Sequence, residues 1–399
     1  MRFAPVYLRG IRPSMHLCRH LLCVVAVVCP AVFPPTVSAQ SNAVVSIEDS
    51  FCGVEVSWNG VGTLQSAPTS GGFWREILEA GNPFCTTALD EQRFFRVINR
   101  WATRANLLTN NSEMGVAELD GKIYVLGGYP PSRVTQRTVQ VYDTQTDSWS
   151  YTTPLPIPLN HPMPAVANGK LYMIGGQTTD SGTGSFTNTV FEFDPATTNW
   201  VARAPMPTSR SAGVAAVIGN LIYVAGGRPP RGQDFAVYNV TSNSWQTLPN
   251  LPTGRNHLAA CALGGRVYVA GGRLGGGFTS PMTNVLEVFD SASNQWSSAA
   301  PMPFARGGIN GIEADGCFFV FGGEGPSGMG GEVVFGDMLM YVPGEDRWYQ
   351  LQKLPVPVHG VTGAAYVNGW IHLTGGGVNT GGSSGSTIHQ VFWLDGLVP

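Results

Sequence analysis

Asn199-Trp200-Val201-Ala202-Arg203-Ala204 opens, and Leu221-Ile222-Tyr223-Val224-Ala225-Gly226-Gly227 closes, a segment whose pattern returns along most of the chain. Its landmarks are a tryptophan, an apolar run and a glycine doublet, with 26 residues from Trp200 to Gly226. The same interval separates Trp101 from Gly127, Trp149 from Gly175, Trp245 from Gly271 and Trp296 from Gly322; from Trp348 to Gly375 it is 27. Successive doublets lie 48, 51, 45, 51 and 53 residues apart. A period of this size takes precedence over any local motif, because each unit is one small sheet that must stack on its neighbours to cover its apolar faces.

The interval from a doublet to the next tryptophan varies between 19 and 26 residues, as expected of an exposed loop. Three residues before each doublet stands Tyr124, Tyr172, Tyr223, Tyr268, Phe319 or His372, inside short apolar runs that read as buried strands. The third unit predicts four strands: one from near Gly213, then Leu221 to Ala225, Phe235 to Tyr238, and one opening at Trp245. Asp194-Pro195-Ala196-Thr197-Thr198-Asn199 is the turn before a fourth strand. Glycine at the end of the second strand permits unusual backbone angles and close approach of a neighbouring chain. Burying about 150 to 250 Å² per indole at about 25 cal/mol per Å² gives on the order of 4 to 6 kcal/mol as an upper bound. Packing alone therefore explains the six repeated tryptophans.

The doublet, the preceding Tyr, the Asp194 turn and the Met-Pro pairs (Met206-Pro207, Met302-Pro303) resemble kelch repeats over residues 92 to 396. The resemblance implies an all-β fold, a six-bladed β-propeller of four-stranded kelch blades. The sixth unit stops after a third strand near Gln390 to Leu394, whereas Phe94 to Asn106, around Trp101, parallels a fourth strand with no first three ahead of it. The N-terminal strand is therefore expected to complete blade six and close the ring.

Outside the repeat, Arg2, Arg9, Arg12 and Arg19 precede the apolar run Leu21 to Phe33, and Val37-Ser38-Ala39 precedes Gln40, the layout of a secretory signal peptide over residues 1–39. Thirteen residues span about 20 Å as a helix against a bilayer core of about 30 Å, so a transmembrane reading is poor, and an uncleaved anchor is the alternative. No later run is long and apolar enough to span a membrane. The chain is expected to be secreted, or periplasmic in a Gram-negative host. Its mature form would carry 19 basic and 26 acidic residues, which argues against nucleic acid as a partner. Residues 40–91 read as a small appendage with a strand at Val54 to Trp58, helical turns at Phe73 to Glu79 and a Cys52–Cys85 disulfide; a separate binding module is the alternative. Cys261 and Cys317 read as buried free thiols. Asn110 and Asn239 head glycosylation sequons usable in a eukaryotic host.

For ligand binding, the pattern offers Arg210, Arg255 and Arg306, each sixteen residues before a doublet, where first strands of a propeller converge on the central mouth. Guanidiniums there would hold carboxylate, phosphate or sulfate. His359 has the same spacing, although the longer last interval leaves Val358 as the alternative equivalent. Asn111 and Leu159 break the series. Arg228 and Arg273 follow doublets on loops of the same rim, as does Arg231. His161 and His257 stand fourteen before a doublet and could bind or shuttle protons. His372 and His389 read as packing residues. The competing reading of the three arginines is that they satisfy backbone carbonyls; kelch domains with known pockets resemble the ligand-binding layout, using such Arg with loop Ser and Asn to hold acidic peptides or small anions.

No catalytic residue, metal site or cofactor emerges. Kelch oxidases of the galactose oxidase kind need a Tyr-His pair that this chain lacks. Gly381-Gly382-Ser383-Ser384-Gly385 matches a nucleophile motif without the strand-to-helix turn it needs. The reading is a monomeric binding module for a protein, acidic glycan or small anion. Its alternative is a carbohydrate-active enzyme, because periplasmic sialic acid mutarotases also have six kelch blades.

Overall fold

The computed structural model describes residues 25–26, 44–50, 53–68, 74–78, 80–86, 93–180, 185–277, 279–327, 331–394 and 397. Six sheets, each with four antiparallel strands, follow the repeat, and Val361–Thr362 adds a parallel fifth strand to the first of them. Blade one holds Met114–Leu119, Lys122–Leu126, Val139–Asp143 and Ser148–Tyr151. Blade two holds Met163–Ala167, Lys170–Ile174, Val190–Asp194 and Asn199–Arg203. Blade three holds Val214–Ile218, Leu221–Ala225, Phe235–Asn239 and Ser244–Thr247, close to the four strands the sequence predicts. Blade four runs Ala259–Leu263, Arg266–Ala270, Leu286–Asp290, Gln295–Ala299. Blade five runs Asn310–Ala314, Cys317–Phe321, Met338–Val342, Arg347–Gln350.

Blade six is built from both halves of the chain. Ala365–Val367, Trp370–Thr374 and His389–Trp393 pair in order, and Trp101–Thr103 adds the fourth strand with Trp101 opposite Phe392. First strands of successive blades touch one another, and that of blade six touches that of blade one.

Two further cycles explain the sequence period. Each tryptophan donates its indole N–H to a carbonyl where the preceding blade ends: Trp149 to Ala105 (2.7 Å), Trp200 to Thr153, Trp245 to Ala204, Trp296 to Pro249, Trp348 to Ala300, and Trp101 to Gln352 (3.2 Å). Burial of the ring and satisfaction of its one donor are thereby met together. The second glycine of each doublet donates its backbone N–H to the start of the next blade: Gly128 to Leu159, Gly176 to Arg210, Gly227 to Arg255, Gly272 to Arg306, Gly323 to Val358 and Gly376 to Asn111. A Cβ on Gly226 would lie 2.6 Å from the Arg255 carbonyl oxygen, and its φ of 68° also excludes an ordinary side chain.

Tyr124, Tyr172, Tyr223, Tyr268, Phe319 and His372, three before the doublets, fill the seams between blades. Tyr142, Tyr238 and Tyr341 on third strands donate to Asp147, Asn243 and Asp346 of the turns before the fourth. In blade six, His372 and His389 are buried and bonded to each other at 2.9 Å, as packing residues. Burial holds His372 well below the usual imidazole range and pushes His389 down to about 3. Cys261 and Cys317 are buried free thiols.

Residues ahead of the propeller differ from expectation in two places. Phe94–Ile98 does not join blade six; it pairs with Thr63–Ala67. Arg75–Glu76 extends that sheet as a strand instead of forming a helical turn. Gly53–Trp58 is a strand, flanked by Val45–Ser50 and Phe84–Thr86. The small core of Val45, Val54, Val56, Leu64, Phe95 and Val97 belongs to this segment. The Arg100–Glu76 ion pair, with side chains 0% and 3% exposed, ties it to the propeller, where Arg100 also donates to the Trp393 carbonyl. Cys52 and most of residues 1–39 lie outside the described residues; Val25–Ala26 runs parallel to Phe94–Phe95. Among the described residues no helix is long and apolar enough to cross a membrane.

Candidate functional site

Antiparallel pairing sends the doublet loops and the connections into each first strand out of the same face. Three successive residues of that connection have different fates. The first is the register of Asn111, Leu159, Arg210, Arg255, Arg306 and Val358, all accepting from a doublet glycine. The side chains of Arg210, Arg255 and Arg306 are 0–1% exposed and turn into the blades. Arg210 donates to the Val224 and Asp234 carbonyls. Arg255 reaches the Gly271, Thr253 and Val269 carbonyls and the Glu287 carboxylate. Arg306 reaches the Gly322 carbonyl and Asp337. The ring of mouth guanidiniums is thus replaced by internal braces, because second-strand carbonyls at the blade end need donors that strand pairing does not supply. Val358, not His359, is the sixth member of this register.

The second residue includes His359, fully buried, with Nε2 2.7 Å from the Asn379 carbonyl and Nδ1 3.5 Å from Glu324. Asn160 and Asn256 share its position, each bonded across to the residue after a doublet.

The third residue lines the axis. His161 N–H donates to Glu113 C=O, Ala212 to His161, His257 to Ala212, Gly308 to His257, Gly360 to Gly308, and Glu113 to Gly360, a closed cycle of six backbone bonds. All six residues have φ between 50° and 67°. Glycine takes this conformation freely, whereas Glu113, His161, Ala212 and His257 hold it at a cost of about 1 kcal/mol or more each. The left-handed turn directs Glu113, His161 and His257 into a common buried cavity that also borders Gly308 and Gly360. Its free volume of about 10 Å³ suits one water-sized occupant.

Around this cavity the doublet loops bring Arg228 and Arg273, as expected, but with partners the sequence did not reveal. Arg273 pairs with buried Glu324, whose other oxygen accepts from Gly381 N–H at 2.8 Å. Arg228, half-buried, donates to Gly276 C=O and to His161 Nε2 at 3.1 Å. Glu113 Oε2 lies 3.0 Å from the same His161 nitrogen. Tyr129 stands beside His161, its hydroxyl held above the ordinary phenol range by burial and by Glu113 and Asp180. Glu113 and Glu324 balance Arg228 and Arg273, so the mouth is charge-compensated and not the simple anion-favouring ring expected. Ser384 of the discarded motif closes a loop onto Asn379.

The imidazoles are tuned together. Burial lowers His257 well below the usual range, and Arg273, Arg228, His161 and His359 add to it. Burial also lowers His161, with Glu113 opposing and Arg228 and Arg273 reinforcing. Burial alone would raise the Glu113 carboxyl, but His161, His359 and Arg273 outweigh it and hold it ionised. His257 is therefore neutral at neutral pH, beside the ionised Glu113 carboxylate. A larger cleft of about 340 Å³ lies between the N-terminal segment and blade five, lined by Leu64, Glu76, Ile77, Gln350 and Lys353. Its one buried carboxylate, Glu76, is already paired with Arg100.

These features define a propeller of kelch blades. The KLHDC2/KLHL20/DRC7 Kelch-repeats domain model matches residues 160–377 and the Kelch motif model residues 111–156, and the chain belongs to the kelch-repeat family. It is similar to Kelch-like protein terF of Aspergillus terreus, 33% identical over 71% of this chain and 65% of that protein. Beta-scruin of Limulus polyphemus is 27% identical over 33% of this chain and 14% of its own length. The chain thus spans less than two thirds of the length of these relatives. The solved "Structure of YjhT" superposes with a TM-score of 0.62 at 16% identity, covering 74% of this chain and 98% of that one, a likeness of fold.

Proposed function

We propose that the loop-bearing face of the propeller is an interaction surface for a protein partner with an acidic side chain, centred on the polar mouth. One observation carries this reading. Of the ten large hydrophobic side chains exposed among the described residues, six belong to loops of this face: Leu108, Val134, Leu274, Phe304, Val333 and Val378. Exposed apolar side chains gathered on one face of a molecule mark an interaction site. Half-buried Arg228 and exposed Arg231, the latter 3.8 Å from Asp234, present guanidinium donors within it. The leader-like N-terminus supports export, so the partner is sought outside the cell; the exported chain is expected to begin at Gln40 and to carry a Cys52–Cys85 bridge, both readable by mass spectrometry without reduction. The binding test is retention of an extracellular partner on immobilised protein. Leu274→Asp with Val333→Asp abolishes retention whereas Val201→Asp, on an outer strand, leaves it intact; equal retention by all three overturns the reading.

The buried Glu113–His161 pair favours a second reading, a carbohydrate-active enzyme using the mouth for acid–base chemistry. Anomer exchange of a sugar acid followed by NMR, abolished by His257→Ala, would reverse the order of the two.

A further inference from the structure

We propose that Glu113, His161 and His257 form a binding site for a first-row divalent transition metal ion on the propeller axis. Neighbouring amides decide which nitrogen of His161 and His257 carries the proton. Asn160 Nδ2 donates to Thr135 Oγ1 (2.7 Å) and Thr179 C=O, and Asn256 Nδ2 donates to Gly275 C=O (2.8 Å) and Arg273 C=O. Their amide orientations are therefore set by these bonds, and each Oδ1 faces the following histidine, 2.5 Å from Nδ1. An amide oxygen only accepts, so both Nδ1 atoms hold a proton; Arg228 Nη2, which only donates, meets His161 Nε2 at 3.1 Å and marks it as a lone pair, and His257 Nε2 meets no acceptor. Hydrogen bonding at the remote nitrogen is the arrangement that orients metal-binding imidazoles.

These two lone pairs converge with a carboxylate. One ligand atom from each of Glu113, His161 and His257 lies within 4.8 Å of the others. His257 Nε2 is buried and has no hydrogen-bond partner. Glu113 Oε2 lies 3.0 Å from His161 Nε2. Acceptors opposed in this way are stabilised by a cation; two ligands about 2.0 to 2.2 Å from one tetrahedral ion stand about 3.3 to 3.6 Å apart, so the pair opens by a few tenths of an ångström to hold it. Two imidazoles and one carboxylate match zinc and its first-row neighbours, and a cavity of about 10 Å³ leaves a fourth position for a water or one ligand oxygen. Arg228 Nη2 competes for His161 Nε2, so binding requires that bond to give way.

The test uses the full mature chain, stripped with chelator and titrated with Zn²⁺ by calorimetry and with Co²⁺ by visible absorption. Wild type takes up one equivalent and gives the d–d bands of a nitrogen- and oxygen-ligated ion. His257→Ala and His161→Ala each weaken binding at least 100-fold. Ala212 already occupies the equivalent ring position with φ 58°, so these variants keep the backbone cycle, which thermal unfolding checks. Glu113→Gln, of unchanged shape, also weakens binding, and Arg228→Gln tightens it. Failure of wild type to bind either ion at micromolar concentration overturns the proposal. So does affinity unchanged in both histidine variants.

Discussion

Arg255 and His257 lie two residues apart in one connection, yet they have opposite environments. Arg255 has three carbonyls and a carboxylate arranged around its fork. His257 faces His161 across the axis, and its Nε2 has no hydrogen-bond partner. The arginine is complete without a ligand, whereas the histidine is not. Repetition marks the difference. The arginine returns in three blades because each blade end has the same carbonyls to satisfy, while the histidine register reads Glu, His, Ala, His, Gly, Gly and serves one position on the axis.

That contrast can be broken at several points. Arg255→Leu strands the Glu287 carboxylate and three carbonyls, with an expected loss of about 3 to 5 kcal/mol and a Tm lower by roughly 10 °C in calorimetry. Arg210→Leu costs clearly less, since among the described residues its side chain donates only to the Val224 and Asp234 carbonyls; equal losses would mean that the carboxylate is not what distinguishes them. Gly226→Ala forces a Cβ against the Arg255 carbonyl at positive φ and costs about 2 to 3 kcal/mol, read from denaturant midpoints.

Acid separates packing histidines from the rest of the fold. His372 and His389 have folded-state pKa values below the ordinary 6.5, so below that pH the unfolded chain binds more protons than the native one. Stability therefore falls as pH drops from about 6.5 towards about 3, and a Tm series shows a loss of roughly 5 °C by pH 4. His372→Tyr, restoring the residue of four other blades, flattens that profile. The smallest effect is expected at the axis: His257→Ala loses the Nδ1–H bond to Asn256 Oδ1 but none at Nε2, and costs about 1 to 2 kcal/mol. A loss comparable to that of Arg255→Leu would make His257 a brace as well.

The period of Trp and Gly-Gly was legible because both residues meet a backbone requirement repeated six times. The role of Trp101 followed from the same pattern, since a fourth strand lacking its first three had one place to go. Its neighbour Phe94–Ile98 was misassigned because an apolar strand carries no label for which sheet it joins. Arg228, Arg273, His161 and His257 could be placed near the mouth by counting from the doublet. Glu113 and Glu324 could not, because a single carboxylate in one unit looks like surface until the left-handed turn or the facing guanidinium is seen. The shift from His359 to Val358 follows from one inserted residue in the last unit, which counting could register but not locate.

The seam in blade six has a consequence for how the protein is made. Residues 101–103 must wait for a partner that is translated almost three hundred positions later, so the nascent chain carries blade one with an unmatched flank until residue 393 has emerged. The indole, axial and glycine cycles close through Gln352, Gly360 and Gly376, so they too wait for the last quarter of the chain. Shortening the polypeptide by its last strand would leave Trp101–Thr103 without a partner and open the wheel at its seam.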